Sequence, residues 1–234
     1  MAARTSSQKA RQISDYPYPL GRYRGARKVA AVALVIAAIS YCGWLAGWIF
    51  DWQIMANKQA FMSELSALSR PHSGIFRVLD FQAGLSSLVA GFIIWSISRR
   101  AVRRRGLALI FFGIFTILDC LFPMSCSPQL EVGCSATLFD LSRPFTDTVH
   151  EITSSLAQIA ILWALAVTAW DRKELPGRRA VALVGVGINA AVAIAAIIPN
   201  APVGAWQQPA ILFWAANLLL WAGQISGPDY RRVQ

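Results

Sequence analysis

Six stretches of about 20 apolar residues divide this chain, at 29–50, 78–98, 106–123, 148–170, 179–199 and 209–225. A helix needs roughly 20 such residues to cross the hydrocarbon of a bilayer, where the backbone must satisfy its own hydrogen bonds. The pattern predicts an all-α polytopic membrane bundle of six transmembrane helices. Composition leaves no competing option: 56% of the 234 residues are hydrophobic and 15% charged, with a mean hydropathy of +0.46. No soluble domain of useful size remains after six spans and short connections.

Basic residues alternate between connections. The leader, residues 1–28, holds Arg4, Lys9, Arg11, Arg22, Arg24, Arg27 and Lys28. The second connection holds Arg99, Arg100, Arg103, Arg104 and Arg105; the fourth holds Arg172, Lys173, Arg178 and Arg179; and the tail, 226–234, holds Arg231 and Arg232. Only Lys58, Arg70, Arg77 and Arg143 fall elsewhere among the 22 Lys and Arg. By the positive-inside rule, both termini and the even connections face the cytoplasm of a multi-pass protein in the cell membrane. The polar leader and the length of the first apolar run argue for an uncleaved anchor rather than a signal peptide. A net charge of +10 arranged this way sets topology and meets anionic head groups, not nucleic acid.

Acids show the opposite bias. Asp51, Glu64, Asp80, Asp119, Glu131, Asp140, Asp147 and Glu151 fall on the outer side, whereas Asp15, Asp171, Glu174 and Asp229 lie among the inner bases. An acid at mid-span costs about 2.5–3.5 kcal/mol on insertion scales, so such groups are normally paired or face a cavity. Several sit at outer helix ends: Arg77 with Asp80, then Thr116 with Asp119, then Asp147, His150, Glu151, Ser154 and Ser155, with Gln158 a turn deeper. His150 and Ser154 are one helical turn apart. A bundle uniting the second, third and fourth spans gathers Arg77, Asp80, Asp119, His150, Glu151 and Ser154 into one outward-facing pocket, with Ser63 and Glu64 of the first outer loop above it. The plain alternative is that Arg77 with Asp80, and Asp119 with His150, are buried pairs fixing helix register.

The third connection carries Cys126 and Cys134, separated by seven residues. On the outer side this spacing reads as a disulfide closing a small loop rather than a metal pair. Cys42 and Cys120 read as packed small hydrophobes, and the tryptophans as interfacial anchors.

Three functions are compatible with the pocket. The first is a binding or accessory role, with a lipid, an amphiphile, a membrane partner or a second copy as occupant. The second is a membrane hydrolase or lipid-modifying enzyme: Asp80, Asp119 and His150 as metal ligands with Glu151 as base, or Ser154 or Ser63 as nucleophile. Two histidines in the whole chain make a zinc site oxygen-rich and unusual, and no nucleophile-elbow pattern supports a serine. The third is a small-molecule transporter, against which stand the lack of an inverted repeat and the few polar residues, Asn189, Asn217 and Gln224, deep in the last two spans. No motif specifies a cofactor.

The strings Ser63-Glu64-Leu65-Ser66, Arg77 with Asp80 and Gly84, Leu118-Asp119-Cys120-Leu121-Phe122-Pro123, Cys126-Ser127-Pro128, Cys134 and His150-Glu151-Ile152-Thr153-Ser154 resemble domain-of-unknown-function family 998. That resemblance implies a prokaryotic integral membrane protein of about six spans and is nearly silent about function. The family's usual string carries an acid beside the first loop cysteine, where this chain has Ser125.

Overall fold

The structure, a computed structural model, describes residues 23–98, 100–134 and 143–227. Arg4, Lys9, Arg11, Asp15, Arg22, Arg99, Asp140, Asp229, Arg231 and Arg232 lie outside the described residues. Regular structure among the described residues is helical throughout. Six long helices follow the apolar stretches: α1 (Arg24–Tyr41), α2 (Ser73–Ile97), α3 (Arg100–Leu121), α4 (Phe145–Trp170), α5 (Pro176–Ala196) and α6 (Val203–Ser226). A 3-10 segment, Cys42–Ala46, and a short turn, Gly47–Phe50, continue α1.

Each helix begins before its apolar stretch, and the turns so added to α1 and α3 are basic. α5 starts on Pro176, whose missing N–H is no loss at that position. α6 runs through Pro209, the residue at which the sequence suggested its start. Five of these units are long and apolar enough to cross a membrane: α1 with its continuation, α2, α4, α5 and α6. α3 has the length, 22 residues, but carries Arg103, Arg104 and Arg105 near its start and Asp119 near its end.

The helices form a closed ring in chain order, each packed on its sequence neighbours, with α1 against α6. Two ends result. At one, Arg27 of α1 donates to the carbonyls of Ile225 and Gly227 at the C-terminus of α6, at 2.7 and 2.8 Å, where a cation suits the helix dipole. At the same end Arg105 of α3 reaches Asp171 and Glu174 between α4 and α5. At the other end the remaining connections meet. Residues 51–72 form a strap that bonds Met124 through Leu68 N (2.9 Å), Gln129 through Asn57 Nδ2 (3.3 Å) and Asn200 through Gln59 Nε2 (3.2 Å).

α2 and α3 come together through glycine. A Cβ on Gly113 would lie 2.6 Å from Gly84 O, and one on Gly91 would lie 2.8 Å from Gly106 O. Where lipid replaces water, close backbone packing of this kind stands in for the hydrophobic drive. The ring's interior is filled by Leu34, Leu109, Phe112, Leu165, Trp214 and Leu218, all fully buried. Trp214 packs edge-on against Phe112 and Trp221, at 5.3 and 5.6 Å between ring centres. This corrects the reading of every tryptophan as an interfacial anchor. Trp48, Trp52 and Trp206 are exposed at the strap end and Trp170 at the opposite end, but Trp44, Trp214 and Trp221 are core.

Candidate functional site

The strap is held down by charge and hydrogen bonds. Asp51 and Arg70 close its ends in a two-pronged ion pair, both contacts 2.7 Å. Between them lies the 3-10 turn Met62–Ser66, whose Glu64 is fully buried and accepts from Phe61 N at 2.9 Å. The same carboxylate accepts from Ser127 Oγ and Gln129 N of the loop closed by the Cys126–Cys134 disulfide. Burial pushes the Glu64 carboxyl above its usual value, although these three donors and Arg70 favour the ionised form. The expected disulfide is thus part of the roof, and Cys42 and Cys120 stay free thiols. Ser125, beside the bridge, donates from N and Oγ to Asp147, both at 2.7 Å. An acid at position 125 would instead face that carboxylate.

Beneath the strap is a cavity of about 390 Å³ that Ser63, Glu64, Asp80, Asp119, His150, Glu151 and Ser154 all line. Seven of the eight sequence candidates therefore share one chamber, delivered by the strap and by the ends of α2, α3 and α4 beside it. The eighth, Arg77, does not line it. Its guanidinium donates to the carbonyl of Cys120 at 3.1 and 3.3 Å, near the C-terminus of α3. Neither the pocket position expected for Arg77 nor the alternative pairing with Asp80 is seen, because the exposed carbonyl end of a helix attracts a cation.

Arg143 supplies a cation instead. It lines the cavity and pairs with Glu151 and, at 3.4 Å, with Asp147. The sequence signal was present, since 143, 147 and 151 follow a four-residue helical step. Tyr41, Trp44 and Thr116 also line the chamber and were not among the sequence candidates.

Asp119 is the most heavily engaged group. It accepts from Thr153 Oγ1 at 2.6 Å and from Ser154 Oγ at 2.9 Å to each oxygen, and lies 3.3 Å from His150 Nδ1. His150 Nδ1 also lies 3.2 Å from the Phe122 carbonyl, which can only accept, so Nδ1 carries a proton and Nε2 is left facing Ser154. Ser154 Oγ is 3.4 Å from that Nε2. The three side chains are therefore in mutual reach, but the serine proton points to the carboxylate. Asp80 accepts, among the described residues, one long hydrogen bond from Ser66 Oγ, 3.4 Å. Among the described residues no three His, Cys, Asp or Glu side chains group closely enough to hold a metal ion, so Asp80, Asp119 and His150 do not form the ligand set considered from sequence.

Part of the lining is an apolar arm contributed by two packed helices, Ile159 and Leu162 from α4 and Val192, Ala193 and Ala196 from α5, with Ile197 next in the chain. Ile159 and Ile197 are 59% and 71% exposed, so this arm reaches the outside of the bundle between two helices.

Residues 29–224 match the model of a family described as a protein of unknown function, DUF998. The chain belongs to that family. No curated protein and no solved structure matches it.

Proposed function

We propose that this DUF998 member crosses the membrane six times, with both termini in the cytoplasm, and binds an amphiphile from the outer side. α3 serves as the remaining span: its basic start joins the inner bases, and its Asp119 end opens on the cavity. The observation that carries the binding reading is the continuity of a polar chamber with an apolar crevice between α4 and α5. A free polar solute needs no such crevice. A lipid-like molecule does, since its head and tail require opposite surroundings and a side exit lets the tail stay in the bilayer.

Ala193 gives the test. A tryptophan there fills the crevice while leaving Asp119 and its partners untouched. Ala193→Trp is expected to reduce co-purifying amphiphile at least roughly tenfold in native mass spectra, with the thermal midpoint unchanged. Wild-type amounts of bound lipid in a folded variant would remove the crevice from the reading.

A hydrolase is the second reading, favoured by the approach of Ser154, His150 and Asp119. Two features weigh against it. Ser154 Oγ donates to Asp119 rather than to His150, and the backbone N–H groups around Ser154, within α4, are committed to the helix and cannot form a backbone oxyanion hole. A fluorophosphonate probe decides between them: no labelling is expected, and labelling abolished by Ser154→Ala would establish the enzyme.

A further inference from the structure

Resting on the amphiphile reading, we propose that the head group of the bound molecule is an uncharged polyol about the size of one sugar ring, whose hydroxyls accept from the Trp44 indole N–H and donate to Asp80. Trp44 carries the inference. It stands in the 3-10 segment that continues α1, lines the chamber and is only 8% exposed. Its Nε1–H is buried with no hydrogen-bond partner among the described residues, and no other such atom found among them belongs to the lining. A buried donor left unmet has lost its water and gained nothing in exchange, so an acceptor brought to it by a ligand is stabilising.

The charged groups of the lining narrow what brings that acceptor. Asp119 is filled by Thr153, Ser154 and His150, and Glu64 by donors of the strap and the disulfide loop. Arg143 is bridged to Glu151 and Asp147. Asp80 keeps room for a donor, because the hydrogen bond it accepts from Ser66 Oγ is 3.4 Å long. The open donor and the open acceptor are near neighbours: Phe76 packs in one cluster with Trp44 and stands one helical turn before Asp80 on α2.

One open donor beside one open acceptor selects the head. An ammonium only donates, so it leaves the Trp44 N–H unmet. A phosphate or carboxylate accepts from Trp44 but brings like charge toward Asp80 and Asp119, and both bases of the lining, Arg143 and His150, are already engaged. A hydroxyl has a hydrogen to give and two lone pairs to receive, so it answers both groups. A cavity of about 390 Å³ has room for a ring bearing several of them, and its carbon skeleton packs on the faces of Tyr41, Trp44 and Phe76. The tail then leaves along the apolar arm of α4 and α5.

The experiment compares dodecyl glucoside, dodecylamine, dodecanoate and free glucose on the full chain in phosphatidylcholine nanodiscs, with binding counted above that of empty discs. Dodecyl glucoside is expected to bind at least about tenfold more tightly than either charged probe. Trp44→Phe keeps the ring and removes the N–H, and Asp80→Ala removes the acceptor; each is expected to weaken dodecyl glucoside about fivefold. Asp80→Asn, which still offers an oxygen, is expected to restore most of the Asp80→Ala loss. Should Asp80→Ala fail to fold, Trp44→Phe decides alone. A charged probe that binds as tightly as dodecyl glucoside, or a glucoside affinity that Trp44→Phe leaves intact, overturns the polyol assignment and leaves the amphiphile reading standing. Free glucose binding as tightly as dodecyl glucoside overturns the amphiphile reading and leaves the polyol site. Binding of none of the four by the folded wild type overturns both.

Discussion

Valine at Gly113 is expected to lower the stability of the bundle by about 3 kcal/mol, at the top of the range for overpacking. The reason is that nothing near Gly113 can move cheaply. An added Cβ meets Gly84 O at 2.6 Å and Leu88 N at 2.8 Å, which are backbone atoms of a 25-residue helix rather than ends of flexible side chains. Gly106 repeats the situation two turns away, with Trp95 N at 2.6 Å and Gly91 O at 2.9 Å. Two glycines seven residues apart on α2 thus face two with the same separation on α3, and widening the contact at one pair strains the other. The chamber would suffer with the interface, because Asp80 on α2 and Asp119 on α3 hold their positions through this packing. Gly187, with nothing within 4 Å of a new Cβ, is the matched control: Gly187→Val should leave the unfolding midpoint in place. A Gly113→Val midpoint equal to that of Gly187→Val would show that the two helices are not locked as described.

Only half of that interface is visible in the sequence. Gly84, Ser87 and Gly91 form a recognisable small-residue stripe on α2, but pairing it with Gly106 and Gly113 requires the register between helices, which local spacing does not encode. The same division runs through the site. Span positions and the unequal sharing of bases are local properties, so the gathering of Asp80, Asp119, His150, Glu151 and Ser154 at one end follows from a ring of alternating helices. Arg77 was misplaced because its spacing to Asp80 is local, whereas its actual partner, the Cys120 carbonyl, belongs to another helix. Glu64 was legible as a loop residue above the pocket. Its complete burial was not, because that depends on donors from the disulfide loop some 65 residues on. Trp214 and Trp221 show the limit from the other side: composition alone cannot tell an interfacial ring from one closed inside a bundle.

Arg105 is the second residue whose loss should be severe, and it too is hidden within a local pattern. In sequence it is the last of a basic run. In the fold it is 3% exposed and bonds Glu174 at 2.8 Å, Asp171 at 3.1 Å and Gln224 at 3.2 Å, tying α3 to the α4–α5 connection and to α6. Gln224 completes the network by donating to Glu174, 3.0 Å to one oxygen and 3.2 Å to the other. Removing one member of a buried ion pair leaves the other charge uncompensated, so Arg105→Met is expected to cost about 3–5 kcal/mol. Replacing the pair together, Arg105→Met with Glu174→Met, should recover part of that loss, because Glu174 is no longer stranded and only Asp171 still lacks its partner. Acid titration gives an independent check. Burial tends to raise the Glu174 carboxyl, but Arg105, Gln224 and Arg178 together outweigh it and hold the group below its usual value. A carboxyl lowered by folding contributes stability above its unfolded value and loses it as pH falls through the folded one. The wild type should therefore lose midpoint temperature on acidification below the usual carboxylate range, by more than the double variant does. If the single and double variants are equally unstable at neutral pH, and all three proteins share one acid profile, Arg105 is not the counter-charge of Glu174 and the clamp does not couple these three parts of the ring.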